Sequence, residues 1–463
     1  MIKKEFKEYL VEAIGEEKAL VAFAAFDEPA SVAVRYNPFK PSGDVPAGRP
    51  VAWSGYGRLL DERPLFTLDP TFHAGAYYVQ DSSSMFVGHV FRRMISEIVL
   101  PSDRAVRVLD LCAAPGGKST DLAASLREMY GDRFLLVVNE VMQQRVGVLA
   151  DNMALWGDPN VVVTSEDPAS FAALPGFFDV IVADVPCSGE GMFRKDEQAR
   201  MQWSADNVSL CEARQRRIVA DVWPSLKHGG LFIYSTCTFN IYENDGNVSW
   251  ISEELGAECL LDKDLIPEEG VIKTRLGYSL VPGFVSGEGQ YCSALRKTSD
   301  VDMPDNARPR KSRPVQKSQQ SQMPSGLDRL FSKEMSFRKK GEMIVAVPQN
   351  VSPDVDAVER ELRVIASGCA VGVMKGRDLV PDADLALSLA LSQDAWPSVE
   401  ADRQTALAYL HRDAVVFPEA PKGYLLVRYS GLPLGFVKNL GNRCNSLLPQ
   451  SRRIRMNINQ NHL

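Results

Sequence analysis

Between Arg104 and Lys297, short runs of consecutive apolar residues alternate with segments whose apolar residues recur at helical spacing. The runs are RVLDLC, FLLVVNE, NVVVTSED, FDVIVADV and GLFIYSTC. A strand buried on both faces needs such a run, and the helical segments between supply the crossovers of a parallel sheet. The pattern predicts a Rossmann-like α/β domain over residues 93–298, with helices on both faces, closed by the strand-like YCSALRK. Residues 1–92 read as a small α+β domain: a helical start, then the predicted strands SVAVRY and PLFTL on either side of a Pro/Gly-rich stretch, 38–57. Residues 299–325 are poor in apolar groups and rich in Ser, Pro and Gln, with Arg308, Arg310, Lys311, Arg313 and Lys317 close together. That composition predicts a linker, and its charge suits either a solvated tether or a strand that contacts phosphates. Patterning resumes at 326 and predicts a further α+β region to 463. Its end, from about residue 400, reads as short strands, glycine turns and a basic tail.

Composition narrows the function classes. A chain of 463 residues is too long for one ordinary core, and 45% hydrophobic with 24% charged residues is a soluble globular balance. Glu5, Glu8, Glu12, Glu16 and Glu17 make the N-terminal helix amphipathic, unlike a signal peptide, and no apolar run is long enough to span a bilayer. A net charge of −7 excludes a globally basic nucleic-acid binder but not a local basic surface. Eight scattered cysteines without a C-x-x-C pair predict a reducing, cytoplasmic setting, and five histidines without ligand spacing predict no metal.

The chemistry is carried by the residues just past each strand end. Val106 to Asp110 runs into Cys112, Ala113, Ala114, Pro115, Gly116, Gly117 and Lys118, then a helical pattern. A strand, a small-residue loop and a helix N-terminus present backbone N–H groups to a polar ligand; without a ligand, the same segment would be a tight turn. A Walker loop fails here because Cys112 stands where glycine is needed, and G-x-G-x-x-G is absent. Glu140 ends the next run, 23 residues past Gly117, where doubly wound folds place the acid that accepts ribose hydroxyls. Asp167 follows the third run and Asp184 ends the fourth, so the acids outline a cleft suited to a nucleoside-bearing cofactor. Cys187 follows the fourth strand and Cys237 the fifth, so both should reach that crevice. Each cysteine alone reads as a small buried hydrophobe or a reactive thiol; the pair at two strand ends favours chemistry. His73, Tyr77 and Tyr78 suit RNA contact or a packed interdomain face, the second being favoured.

These pieces, LDLCAAPGGKST, the NE ending at Glu140, ADVPCSGEGMFRKD and YSTCTFN, stand in the order and spacing of the Fmu/Sun/Nol/Nop family of RNA cytosine-5 methyltransferases, which the chain closely resembles. The end, LPLGFVKNLGNRCNSLLPQSRRIRM, resembles a PUA-like RNA-binding domain. The resemblance implies S-adenosylmethionine as cofactor, held by residues 112–118 (methionine part), Glu140 (ribose) and Asp167 (adenine amino group). It implies Cys237 as the nucleophile on cytosine carbon 6, Asp184 on the base's N3/N4 edge and beside the cofactor, and Cys187 in breakdown of the adduct. The expected substrate is RNA, in the first place small-subunit rRNA, gripped by both ends of a monomeric protein. The alternatives are a tRNA cytosine-5 methyltransferase, a protein or DNA methyltransferase, and a non-catalytic RNA-binding ribosome-assembly factor. The last would have lost a nucleophile or a cofactor acid, and all are present here. A nucleotide hydrolase built on GGKST gives no account of the two cysteines.

Overall fold

The computed structural model describes residues 2–261, 270–299 and 323–457. The five basic residues of the predicted linker, Arg308 to Lys317, lie outside the described residues.

A ten-stranded sheet forms the centre. In chain order its strands are β1 (Val106–Asp110), β2 (Phe134–Asn139), β3 (Val161–Thr164), β4 (Phe178–Asp184), β5 (Leu226–Thr236), β6 (Ala257–Cys259), β7 (Ile272–Lys273), β8 (Tyr278–Leu280), β9 (Gln290–Lys297) and β10 (Val364–Ser367). The spatial order is β7-β8-β9-β5-β4-β1-β2-β3-β10, with β6 also pairing with β9. Strands β1 to β5 run parallel, as their doubly apolar sequences require, with Val108 opposite both Leu136 and Val180. Alternate residues feed two cores: Val108, Leu136 and Val182 pack with helices Phe86–Met94 and Gly117–Tyr130, while Leu109, Val137 and Ile181 pack with helix Ala205–Val222. The chain reverses direction of winding between β1 and β4, so the crevice of this sheet opens above their carboxyl ends.

The sheet does not stop where the apolar pattern of the central segment stops. YCSALRK becomes β9, antiparallel to β5, and β10, from the C-terminal region, adds antiparallel to β3. An unpaired edge of buried N–H and C=O groups is costly, and β10 covers this one. Val345, Val347, Val355 and Val358 of the C-terminal region join the same core as Leu109.

The N-terminal helix is two, Lys4–Ile14 and Glu16–Ala25, split at Gly15, whose φ of 84° a side chain would resist. Phe6, Leu10 and Ile14, on one face, pack on Phe193, Trp203 and Phe239 of the central segment. SVAVRY forms the expected strand, Val32–Tyr36, in a four-stranded sheet. PLFTL does not: Phe66–Leu68 is a 3₁₀ turn, because Asp69 immediately caps a short helix that Pro70 begins and Pro64 bounds the other side. The C-terminal region holds two further four-stranded sheets, one containing Met343–Pro348 and Cys369–Lys375, the other Gly423–Tyr429 and Leu432–Asn439. This last sheet shares a core with the N-terminal one, Val34, Phe66 and Tyr77 meeting Leu407, Tyr409 and Leu425. Tyr77 is thus buried in an interdomain face; its hydroxyl donates to Asp69, and His73 hydrogen-bonds to the Thr67 carbonyl. No helix among the described residues is long and apolar enough to cross a membrane.

Candidate active site

The loop after β1 is held from several sides. Its amides at Leu111 and Ala113 donate to the carbonyls of Val182 and Asn139, and its carbonyls at Ala114 and Pro115 accept from Arg145 and Asn152. Gly116 has φ 114°, a conformation that suits glycine, and a side chain on Gly117 would press on Tyr78 at 3.3 Å. Below the loop Asp110 is fully buried: one carboxylate oxygen accepts from Ser119 Oγ at 2.7 Å and the other, Oδ1, has no hydrogen-bond partner among the described residues. Burial raises its pKa to about 7, against the Ser119 hydrogen bond and Lys118, which lower it.

Glu140, also buried, accepts from the Met142 amide at 2.8 Å and stands 3.3 Å from the Arg145 guanidinium. The charges of Glu140 and Asp184 both act on Asp110, and those of all three acids on Cys112, so the structure gathers the three around the start of the loop. Asp167 is set apart: it is exposed, caps the 3₁₀ turn Pro168–Ala173 through the Ala169 amide, and its charge acts on Asp221.

On the adjoining strand ends the two cysteines meet. Cys187 Sγ lies 3.1 Å from Cys237 Sγ, and both side chains are partly accessible. The hydrogen bond with Cys237, and then burial, push the Cys187 thiol well above its ordinary range, so it stays protonated and can donate to the Cys237 sulfur. Burial and the surrounding acids likewise raise the Cys112 pKa, which leaves that thiol inert. Asp184, at the end of β4, accepts from Ser235 Oγ at 2.8 Å and Gln290 Nε2 at 3.0 Å on one oxygen, and pairs with Lys118 Nζ at 2.9 Å on the other. Burial opposes the Lys118 charge, but Asp184 outweighs it and, with Cys237, holds the lysine pKa up. Lys118, expected among the cofactor-binding residues, is therefore the cation that joins the loop after β1 to the cysteine side of the crevice.

The sequence reading missed Gln290 and the buried network beneath the cysteines. Glu190, Asn240 and Glu243 are all buried and mutually hydrogen-bonded, with Asn240 Nδ2 donating to Glu190 at 2.9 Å and Glu243 at 2.8 Å. Burial, then the Glu190 charge, raise the Glu243 pKa to about 7. One local signal existed, since Asn240-x-x-Glu243 is the spacing of a helix cap, and Asn240 does accept from the Glu243 amide.

A doubly wound sheet with an acid-lined crevice at its switch point and a thiol pair on the next strands defines the class: a Rossmann-like methyltransferase. Family profiles place it further. Residues 97–296 match "16S rRNA methyltransferase RsmB/F", residues 2–82 "N-terminal domain of 16S rRNA methyltransferase RsmF" and residues 397–454 "Methyltransferase RsmF PUA domain". The chain is 30% identical to a protein of Enterobacter sp. (strain 638) named ribosomal RNA small subunit methyltransferase F, over 96% of this chain and 95% of that one. Its namesake in Pectobacterium carotovorum is 34% identical, over 60% of this chain and 59% of the relative. The chain belongs to the RsmB/F family of 16S rRNA methyltransferases. Two solved structures share the fold over 64% of this chain: a methyltransferase homolog from Pyrococcus horikoshii (TM-score 0.53, 23% identity, 95% of that chain) and NSun6 from the same organism (0.50, 18%, 99%).

Proposed function

We propose that the protein transfers a methyl group from S-adenosylmethionine to carbon 5 of a cytosine in 16S rRNA, through a covalent bond between Cys237 and carbon 6 of the base. One observation carries this reading: two thiols 3.1 Å apart on adjacent strand ends, beside three clustered carboxylates. Cytosine carbon 5 is a weak nucleophile, and a thiolate on carbon 6 makes it an enamine carbon.

The residues fit the cofactor. A ligand with a sulfonium, an ammonium and ribose hydroxyls brings cations and donors to Asp110, Glu140 and Asp184, and the buried Asp110 Oδ1 is an acceptor that no donor among the described residues satisfies. Bound there, S-adenosylmethionine supplies an electrophilic methyl group. Residues 112–118 hold its methionine part and Glu140 its ribose, and Asp167 offers its adenine amino group the oxygen not spent on its own turn. The Cys237 thiolate adds to carbon 6, and carbon 5 then takes the methyl group as the bond between that methyl and the donor sulfur breaks, its electron pair staying on the sulfur. Carbon 5 next gives up its proton to a base, the C5=C6 double bond returns, and the electron pair of the S–C6 bond goes back to Cys237. The Cys187 thiol donates a hydrogen bond to that departing sulfur. Asp184, fixed by Lys118, Ser235 and Gln290, presents a carboxylate that accepts from the N4 amino group of the base, while N3 takes a proton from solvent as Cys237 adds and returns it as the sulfur leaves. The target atom is hidden in a duplex, so the base enters from a loop or flipped out.

All eight cysteines are free, which supports a cytoplasmic setting. The test is methylation of 16S rRNA followed by nucleoside mass spectrometry. The native protein forms 5-methylcytidine, Cys237→Ala forms neither product nor adduct, and Cys187→Ala accumulates RNA-linked protein on denaturing gels. No adduct in Cys187→Ala, or an adduct retained by Cys237→Ala, would refute the assignment.

A further inference from the structure

The two cysteine loops hold each other through buried carboxylates. Glu190 belongs to the Cys187 loop, yet its carboxylate accepts the backbone amides of Phe239 at 2.6 Å and Asn240 at 3.1 Å, in the Cys237 loop. Glu243 lies beyond the Cys237 loop, yet its carboxylate accepts the amide of Ser188 at 3.0 Å, the residue after Cys187. Both side chains are fully buried, and Asn240 Nδ2 bridges them. Ser188 Oγ and Thr238 Oγ1 close the same seam at 2.9 Å. The backbone adds two bonds across the same junction, Gly191 N to the Cys237 carbonyl at 2.7 Å and Val185 N to the Ser235 carbonyl at 3.0 Å, and neither glutamate touches the reacting atoms. We propose that Glu190 and Glu243 are reciprocal positioning residues, Glu190 placing Cys237 for attack on carbon 6 and Glu243 placing Cys187 for release of the adduct. This rests on the covalent-adduct reading above.

Carboxylate is the only side chain that satisfies these positions. At 243, one oxygen accepts from Ser188 N and Gln215 Nε2 and the other from Asn240 Nδ2. An amide there must turn its NH₂ toward one set of donors. Gln215 cannot flip to receive it, because its oxygen already accepts from Tyr234 and Asn247, nor can Asn240, whose oxygen accepts the Glu243 amide. Glu243→Gln therefore frees the Ser188 amide or the Asn240 bridge while keeping the side-chain volume. At 190, one oxygen accepts the amides of 239 and 240 and the other accepts from Trp203 Nε1 and Asn240 Nδ2, so Glu190→Gln gives up either the two amides or the Trp203 and Asn240 donors that anchor the side chain.

The experiment measures, in the full-length protein with 16S rRNA, the single-turnover rate of adduct formation, the steady-state fraction of covalent adduct, and the S-adenosylmethionine Kd. Each glutamate variant should copy the variant of the cysteine whose loop it holds. Glu190→Gln should slow adduct formation by about tenfold without accumulation, and Glu243→Gln should leave formation within about threefold while adduct accumulates and kcat falls about tenfold. The Kd should stay within about twofold in both. A native partition between the steps in either variant overturns the proposal, as does a parallel fall in both steps together with cofactor affinity, which is what general disorder produces. If melting curves show either variant unfolded, Ser188→Ala decides: it removes the hydroxyl's contacts with Thr238 and, at 3.4 Å, with Glu190 while keeping the Ser188 amide on Glu243, and it should raise the adduct fraction about threefold, an unchanged fraction overturning the proposal. Cys237→Ala and Cys187→Ala run alongside. An exchange of their two phenotypes would fault the assigned chemistry, whereas glutamate variants that follow neither cysteine would fault the clamp.

Discussion

Replacing Glu140 by glutamine isolates what its second oxygen contributes to cofactor binding. A carboxylate offers about four lone-pair sites. In the folded chain the Met142 amide takes one at 2.8 Å and Arg145 stands 3.3 Å from the other oxygen. Enough remain for two ribose hydroxyls. In Glu140→Gln the amide oxygen must keep facing the Met142 N–H, which turns the NH₂ group toward Arg145 and the ribose. The charge-assisted hydrogen bond lost there contributes about 1.5–3 kcal/mol, which is about a 10- to 150-fold weaker Kd. The fold should scarcely respond: the cap at Met142 survives, and Arg145, half exposed, loses an ion pair that contributes about 0–1 kcal/mol. Calorimetric titration of the full-length variant with S-adenosylmethionine and with S-adenosylhomocysteine is the assay. Both ligands carry the ribose and only one the sulfonium, so both affinities should fall by the same factor. Affinities within twofold of native, or a loss confined to the sulfonium ligand, would show that Glu140 does not hold the ribose.

Two further predictions concern the frame and the RNA. Lys40 is buried against the carbonyls of Ala74 and Leu155, and burial, followed by the Arg452 charge, lowers its pKa to about 7. The unfolded chain then binds the extra proton from pH 7 up to its own pKa of about 10.4, so stability rises with pH across that window, by about 2 kcal/mol between pH 7 and 9. Urea titrations of native protein and Lys40→Met should diverge in this way, and parallel pH curves would sink the argument. In the last sheet, exposed Lys422 and Arg443 lie close to the turn at Gly441, and we expect this face to meet phosphate. Replacing both with glutamine should lower the log–log salt slope of RNA binding by about 1 to 1.5 and leave the cofactor Kd unchanged; an unchanged slope would exclude this face.

What the sequence disclosed was what short-range pattern determines. Doubly apolar runs fixed the five parallel strands, and residues just past a strand end, Asp110, Glu140, Asp184, Cys187 and Cys237, had to gather at one edge because parallel strands share a carboxyl side. What stayed hidden depends on partners distant in the chain. Gln290 reaches Asp184 across 106 residues and Glu190 reaches the Asn240 amide across 50, and nothing in the local composition of either marks them as neighbours. PLFTL shows the converse failure. Its residues suit a strand, but Pro64 and the Asp69-Pro70 cap leave too few backbone donors free for a ladder, so chain punctuation overrode side-chain preference. The C-terminal β10 could not be assigned to the central sheet by periodicity, since pairing at an exposed edge is chosen by geometry after the sheet exists.

The N-terminal region matters to the chemistry through one buried side chain. Arg35, on strand Val32–Tyr36, lies over the Trp156 ring at 4.7 Å and donates to Gln80, to the Gly117 carbonyl at 3.2 Å and to Thr120 Oγ1 at 2.6 Å. Gly117 and Thr120 are in the first turn of the helix that follows the loop after β1, and Lys118 between them carries the Asp184 pair. A guanidinium is expensive to bury, and burial lowers the Arg35 pKa; Asp121, at 4.0 Å, offsets this in part. Such a cost is met by fixing several elements at once, here the N-terminal sheet, the loop after β1 and the helix bearing Trp156. The same N-terminal sheet shares its core with the C-terminal one. Through Arg35 the N-terminal sheet, and through their common core the C-terminal one, are thus tied to the loop after β1, so that a change at Arg35 reaches Lys118 and the Asp184 pair.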